Sequence, residues 1–488
     1  MIIKHIFEKI ALGGMIPSAM LLTTMPPTIA QTQKPNVIYI LGDDLGIGEL
    51  SCYGETKLST PNIDRLAIEG MKFMNHYSGN TVSSPSRAVL MTGLNPGVCY
   101  IRGNMENEFD CSLEPSMVVL PEVFKAAGYT TGAFGKWGLG ITNHKGKENP
   151  LNNGFDCFTG PGSQTAAHNY FPSYIVRNGK KLKLKKNTYS LDTIMSDAFT
   201  FIRKNAKAKK PFFCYIPTMI PHAGMMAPPA LHEKWRKVFP QFDNEVSNFG
   251  GRTVVNTVAG FAAMMEYLDS NVGTILNLLK EYGIDKNTMI IFSSDNGAHS
   301  AGNHLIEFWN STAGLRGKKR DLYEGGIKAP MLVRWLGVVP PGSTTDHISA
   351  FWDVLPTICE LIKQPIPEQN TGISFLETIK GQQANQKKHD FLFFEFAIDK
   401  NGKQNVKSQA VRMNNWKAVK LGKESIELYD LSKDPTEKNN VAAENPAIVT
   451  KMECIIKESH TPTKDDSPNM KKKKKKILLT NKITDFEL

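Results

Sequence analysis

Two stretches of the sequence share one design, and together they narrow the fold more than any other feature. Asn36-Val37-Ile38-Tyr39-Ile40-Leu41 is a short apolar run rich in β-branched residues, and it ends in Gly42-Asp43-Asp44-Leu45-Gly46. Met289-Ile290-Ile291-Phe292-Ser293-Ser294 is a second such run, and it ends in Asp295-Asn296-Gly297. Short apolar runs without alternation predict strands buried on both faces, as in a parallel sheet covered by helices. Open α/β sheets place their ligands at the carboxyl ends of such strands. Two strands of one parallel sheet bring Asp43, Asp44, Asp295 and Asn296 to the same edge. Residues 211–217 read as a further buried strand running out into Pro221-His222-Ala223. Residues 130–134 read as another, leading into Gly135-Lys136-Trp137-Gly138-Leu139-Gly140. The glycines there let backbone come close to a ligand, and Lys136 supplies a cation. A histidine held just past a strand end is placed to act as a general acid. Taken singly, each feature has an ordinary explanation: a polar turn, a surface lysine, a solvated loop histidine.

The stretch Val82-Ser83-Ser84-Pro85-Ser86-Arg87-Ala88-Val89-Leu90-Met91-Thr92-Gly93 predicts a helix start. Pro85 suits a first turn, and Ser83 or Ser84 can cap it. Arg87 follows one turn later, so a hydroxyl and a guanidinium sit together at a helix N-terminus, where anions bind. An ordinary capped helix whose arginine meets some carboxylate fits these residues as well. Further helices are expected over 61–67, 120–127, 254–282 and 351–361, while 143–187 reads as irregular loops facing a substrate.

The chain has 488 residues, enough for two domains, and 41% apolar with 22% charged residues is ordinary for a globular protein. The net charge is +11, of which the run Lys471–Lys476 supplies six. A modest positive excess suits acidic substrates. Nothing in the chain points to nucleic acid. Residues 1–30 read as a secretory signal: Lys4, His5 and Lys9, then an apolar stretch, then Thr28-Ile29-Ala30 before Gln31. Gly13, Gly14 and Pro17 argue against a stable membrane span, so export to a periplasm or beyond is expected. Seven cysteines without a Cys-x-x-Cys pair predict buried free thiols, with Cys99–Cys111 as the one local disulfide to consider. The main α/β domain is expected over 31–365. A smaller α+β domain is expected over 366–460, with strands at 391–396, 416–421 and 427–431 and a helix over 447–458. A Lys-rich tail, read as disordered, occupies 461–488.

The ordered set of motifs resembles the type I sulfatases. It comprises Asp43-Asp44-Leu45-Gly46, Thr60-Pro61-Asn62-Ile63-Asp64, Ser83-x-Pro85-Ser86-Arg87 through Met91-Thr92-Gly93, Gly135-Lys136-Trp137, Ser294-Asp295-Asn296-Gly297, and Leu322-Tyr323-Glu324-Gly325-Gly326. Glu427-Leu428-Tyr429-Asp430-Leu431 followed by Asp434-Pro435 resembles the family's C-terminal domain. The resemblance implies an alkaline-phosphatase-like mixed sheet between helices, with a smaller C-terminal antiparallel sheet. It implies a sulfuric ester hydrolase in which a serine-type maturase oxidises Ser83 to formylglycine. Calcium is implied on Asp43, Asp44, Asp295, Asn296 and the modified Ser83, all hard oxygen donors.

By the same resemblance, Arg87 orients the nucleophile, Lys136 and Lys319 neutralise the transferring sulfuryl group, and His222 protonates the leaving oxygen. Arg102, Asn104 and His168 lie in segments where relatives contact sugar, and an exported glycan sulfatase acting on galactose or N-acetylgalactosamine 4-sulfate is the first expectation. The sequence departs from the family at Gly138, where many members carry a histidine. His144 and His299 are the candidates to replace it. The rivals are a phosphate or phosphonate ester hydrolase of the same fold, and a non-catalytic protein that binds sulfated glycan.

Overall fold

Strand Asn36–Gly42 is the pivot of a ten-stranded sheet, pairing in parallel with Thr288–Ser294 on one side and Phe212–Pro217 on the other. These belong to a computed structural model that describes residues 34–104, 111–400 and 403–462. The expected signal segment 1–30 and the expected tail from residue 463 onward lie outside the described residues. Thr130–Phe134 and Cys157–Gly160 extend the parallel set beyond Phe212–Pro217. Antiparallel strands close both flanks: Met331–Arg334 beside Thr288–Ser294, and the hairpin Tyr174–Arg177 with Lys180–Lys183 beyond Cys157–Gly160.

The central strand is buried at every position. Because successive side chains point to opposite faces, its residues divide between two cores. Val37, Tyr39 and Leu41 join one cluster, together with Met91 of helix Ser83–Thr92 and Phe351. Ile38 and Ile40 join the other, with Ile202 of helix Ser190–Ala208 and Met265 of helix Thr257–Glu281. Phe213 and Tyr215 alternate with Phe212, Cys214 and Ile216 in the same way. Helices on both faces are what make an unbroken apolar run the right sequence for this strand.

Several local expectations are corrected. Ser83 and Ser84 do not cap their helix; Val82 takes the cap position in extended backbone, and Ser83 is the first helical residue. The hydroxyl of Ser83 is engaged elsewhere, as described below. The long helix starts at Thr257 rather than Val254. Asn256, in left-handed backbone (φ 61°), accepts a hydrogen bond from Ala259 N and fixes the start there.

The segment 143–187 is not simply irregular: Cys157–Gly160, Tyr174–Arg177 and Lys180–Lys183 all enter the main sheet. The hairpin turn is Asn178-Gly179, both with positive φ (48° and 76°), and that dipeptide was a readable signal for it. The seven cysteines are all free, so no Cys99–Cys111 disulfide forms.

A second, four-stranded antiparallel sheet runs Leu392–Lys400, Lys403–Met413, Trp416–Leu421 and Glu427–Asp430, with helix Pro446–Ser459 against it. The strand Lys403–Met413 escaped the sequence reading because its polar composition shows little apolar patterning. Phe394, Phe396, Val419 and Tyr429 share the hydrophobic cluster of the main sheet, and Phe394 packs on Trp352 at 5.4 Å. Buried Glu324 adds a polar tie, accepting from Tyr77 Oη (2.7 Å) and from Lys417 Nζ (2.9 Å).

Candidate active site

The register Gly42↔Ser294 and Leu41↔Pro217 carries three strand ends to one place. The chain continues from them as Asp43-Asp44, as Asp295-Asn296 and, after a short loop, as His222. Thr130–Phe134, in parallel register with Phe212–Pro217, delivers Lys136 to the same edge. Helix Ser83–Thr92 brings Ser83 at its N-terminus and Arg87 one turn on, both fully buried.

Ser83 Oγ donates to Asp43 Oδ1 (3.1 Å) and receives a hydrogen bond from Lys136 Nζ (3.2 Å). Lys136 Nζ also donates to both carboxylate oxygens of Asp43 at 2.8 Å. Arg87 grips Asp295 Oδ2 through Nε (3.0 Å) and Nη2 (2.7 Å), reaches Asp43 Oδ1 (3.3 Å), and donates to the Lys136 carbonyl (2.7 Å). Lys319 Nζ meets Asp44 Oδ2 at 2.7 Å. His222 Nε2 lies 3.4 Å from Asp44 Oδ2 and from Lys319 Nζ.

The electrostatics follow from burial and these neighbours. Burial opposes ionisation of Asp43 and Asp44, but Lys136 and Arg87 on one, and Lys319 on the other, hold both carboxyls well below the usual range. Asp295 goes the other way: burial outweighs Arg87 and pushes it up to about 6. Burial, with Lys319 nearby, keeps His222 neutral.

The oxygen cluster suits a hard cation. Asp43, Asp44 and Asp295 offer carboxylate oxygens within 4.8 Å of one another. Asn296 Nδ2 donates to Asp44 Oδ1 (2.8 Å), which leaves the buried Asn296 Oδ1 with no partner. An orphaned carbonyl oxygen beside three carboxylates is a donor set for calcium or magnesium, with no nitrogen or sulfur ligand in it.

A cavity of about 420 Å³ opens above this floor, lined by Asn104, Gln164, His168, His222, Phe249 and Lys319 among others. Asn104 Oδ1 accepts from the Ser84 N–H (3.1 Å), which fastens the start of the helix to the cavity wall. The ring of His168 stacks on His222 at 4.6 Å between centroids.

Arg102 is elsewhere. Its guanidinium is buried and consumed by the fold: Nε donates to the Cys99 carbonyl (3.1 Å), Nη1 to Glu395 Oε1 (3.0 Å), and Nη2 to the carbonyls of Gly97 (2.6 Å) and Thr461. Arg102 is buried and does not line the cavity, so the sugar-binding expectation for it is withdrawn. His144 pairs with Glu148 on the surface (3.1 Å), whereas His299 lines the cavity and sets Nε2 on the Pro221 carbonyl (3.2 Å).

The structure explains Gly138. Its φ is +76°, and a Cβ there would sit 2.8 Å from Arg87 Cδ and 3.2 Å from Gln164 Oε1. Gln164, whose buried Oε1 has no partner, was missed by the sequence reading. Its spacing of four before His168 was the only signal. Because Arg87 is clamped on three sides, it cannot yield to a new side chain. Gly138→Ala is therefore expected to lower kcat/KM about 10²-fold, and Gly138→His to lower it further rather than improve it. Steady-state turnover of the two variants checks this.

A buried hydroxyl at a helix start, an acidic cation cradle and a row of cations, all at the carboxyl edge of a parallel sheet, define a hydrolase for anionic esters. The family model for sulfatases matches residues 35–364, and one described as the C-terminal part of N-sulphoglucosamine sulphohydrolase matches 317–461. The chain is 29% identical to an N-acetylgalactosamine-6-O-sulfatase of Bacteroides thetaiotaomicron, over 88% of this chain and 94% of that one. It is 32% identical to the canine N-acetylgalactosamine-6-sulfatase, over 72% and 67% of the two chains. The solved structure of Ps i-CgsB, also determined with k-i-k-neocarrahexaose, superposes with a TM-score of 0.76 at 27% identity, over 89% of this chain and 94% of that one. The protein belongs to the sulfatase family; it has that family's alkaline-phosphatase-like fold and is a sulfuric ester hydrolase.

Proposed function

We propose that this chain is an exported sulfatase that removes sulfate from a galactosamine- or galactose-type glycan, using formylglycine made from Ser83 and a bound calcium. The observation that carries the reading is the position of Ser83 Oγ, between Asp43 and Lys136 and below a cavity walled by His168, His222 and Lys319. The names of the relatives favour the 6-O-sulfate of N-acetylgalactosamine as the first substrate to try, ahead of the 4-sulfate. The signal-like N-terminus supports export. Among the described residues no helix is long and apolar enough to cross a membrane.

Asp43, Asp44, Asp295 and Asn296 would hold the calcium, which when bound polarises oxygen. Formylglycine at position 83, once hydrated, would supply one hydroxyl for attack on sulfur and a second for expelling sulfate. The chain's own residues do the rest. Arg87 and Lys136 fix the residue at position 83 and neutralise charge on the sulfuryl oxygens. Lys319 stands beside His222 at the cavity floor, where an anionic ester would offset the charge of Lys319 and let His222 take up the proton that the leaving oxygen needs. Phe249 offers an apolar wall for a sugar face.

The test combines peptide mass analysis with a substrate panel. Protein coexpressed with a serine-type maturase should show loss of two hydrogens from the Ser83 peptide and should release sulfate from N-acetylgalactosamine 6-sulfate. Sulfate release by protein whose Ser83 is wholly unmodified would defeat the formylglycine reading. Removing divalent ions with a chelator is expected to abolish turnover and lower the melting temperature, with calcium restoring both. An ion at a hundred times its Kd stabilises by about 2.7 kcal/mol.

A further inference from the structure

Resting on the glycan reading above, we infer that the mouth of the cavity holds a second anion site, formed by Lys318 and Arg320, for a carboxylate or sulfate on the sugar next to the one being desulfated. Lys318, Lys319 and Arg320 all line the cavity, and among the described residues no Asp or Glu does. Lys319 is neutralised by Asp44 at 2.7 Å. Lys318 and Arg320 are exposed, and neither side chain has an ion-pair or hydrogen-bond partner among the described residues. In the proposed reaction the sulfate ester to be cleaved would meet Arg87, Lys136 and Lys319 at the floor, which makes Lys318 and Arg320 surplus to one sulfate. Surplus cations beside a polar cavity fit a substrate that carries a second negative group.

The loop that carries them is fixed rather than loose. Lys319 N donates to the Ala298 carbonyl (2.8 Å), and Asp321 N to the Lys318 carbonyl (2.8 Å). Lys318 N donates to Asp321 Oδ2 (3.1 Å), and Arg320 N to both the carbonyl (3.1 Å) and the hydroxyl (2.8 Å) of Thr81. Thr81 is two residues from Ser83, so the loop is pinned to the segment that carries the nucleophile. Arg320 sits at φ +83°, a region costly for a long side chain and natural for glycine. A strained arginine kept on a pinned loop at a cavity mouth is better explained by what its side chain binds than by the fold. The ordered loop presents both charges in place, which reduces the entropy lost on binding.

Calorimetry with catalytically silent Ser83→Ala protein separates this inference from the proposed reaction. Three ligands are compared: N-acetylgalactosamine 6-sulfate alone, the same sugar linked to a uronic acid, and the same sugar linked to a second sulfated sugar. At least one disaccharide should bind tenfold or more tightly than the monosaccharide, and which one does identifies carboxylate or sulfate as the second group. Adding Lys318→Ala and Arg320→Gly should erase that advantage and flatten its salt dependence. Arg320→Gly should also keep or raise the melting temperature, an outcome a purely structural arginine would not give. Equal affinity for all three ligands, or an advantage that survives both substitutions, overturns the inference. Absence of any binding overturns it too, whereas binding without turnover by the mature wild type would count against the reaction and leave the site standing.

Discussion

Ser83→Ala is expected to reduce sulfate release by about 10⁴-fold or more while the protein stays folded. Removing a nucleophile costs an enzyme nearly all of its chemical acceleration. The structural cost is small by comparison. Ser83 Oγ makes two hydrogen bonds, and both partners keep others: Lys136 Nζ retains both oxygens of Asp43, and Asp43 retains Arg87. The loss is that of an ordinary hydrogen bond, about 1 kcal/mol. Initial rates on a sulfated sugar, with a thermal melt of the same sample, read both quantities. Wild-type turnover by the alanine variant would falsify the assignment. In the proposed reaction a plain serine would form a sulfate ester about as inert as the substrate, so the species at position 83 would decide activity more than any neighbour.

Arg102→Ala is the second large effect, and it falls on stability instead. Arg102 ties the segment after helix Ser83–Thr92 to Glu395 of the second sheet and to Thr461 near the end of the last helix. Glu395 is fully buried, and its other oxygen receives Gln409 Nε2 (2.8 Å) and His460 Nδ1 (2.7 Å). Taking away the guanidinium leaves a buried carboxylate without its arginine and the Cys99 and Thr461 carbonyls without this donor, while the Gly97 carbonyl keeps the Thr461 N–H (3.0 Å). Breaking a buried pair this way costs about 3–5 kcal/mol. Chemical denaturation should show that loss, with KM changed little in the fraction that remains folded. A sugar-contacting arginine would behave oppositely, raising KM at unchanged stability.

The contrast between Ser83 and Arg102 shows how far the sequence could be read. Asp43, Asp44, Asp295 and Asn296 were legible because a buried strand announces its own end, and a parallel sheet gathers such ends at one edge. Arg87 was legible from helical spacing after Ser83. Lys136 and Lys319 were placed by the family motifs and His222 by its position just past a strand end, and the structure sets each within hydrogen-bond reach of this acidic group or its partners. Arg102 was misread because its neighbours in sequence, Cys99 to Asn104, say nothing about Glu395, nearly three hundred residues away. The strand Lys403–Met413 was missed because its sequence alone carries little apolar alternation.

The sequence by itself determined the local grammar: which runs are buried strands, where they stop, which residues stand at the stops, and that Ser83 and Arg87 share a helix turn. These follow from backbone preference and hydrophobic period, which act over a few residues. Only the tertiary structure decided which distant groups meet. The pairing of Asn36–Gly42 with both Thr288–Ser294 and Phe212–Pro217 makes one site from three strand ends. The clamp on Arg87 makes Gly138 necessary, with Gln164 beside it. The pinning of Arg320 to Thr81 gives the cavity mouth its unspent charge. Such contacts join groups tens to hundreds of residues apart, and their geometry is set by sheet register and core packing, which no local pattern encodes.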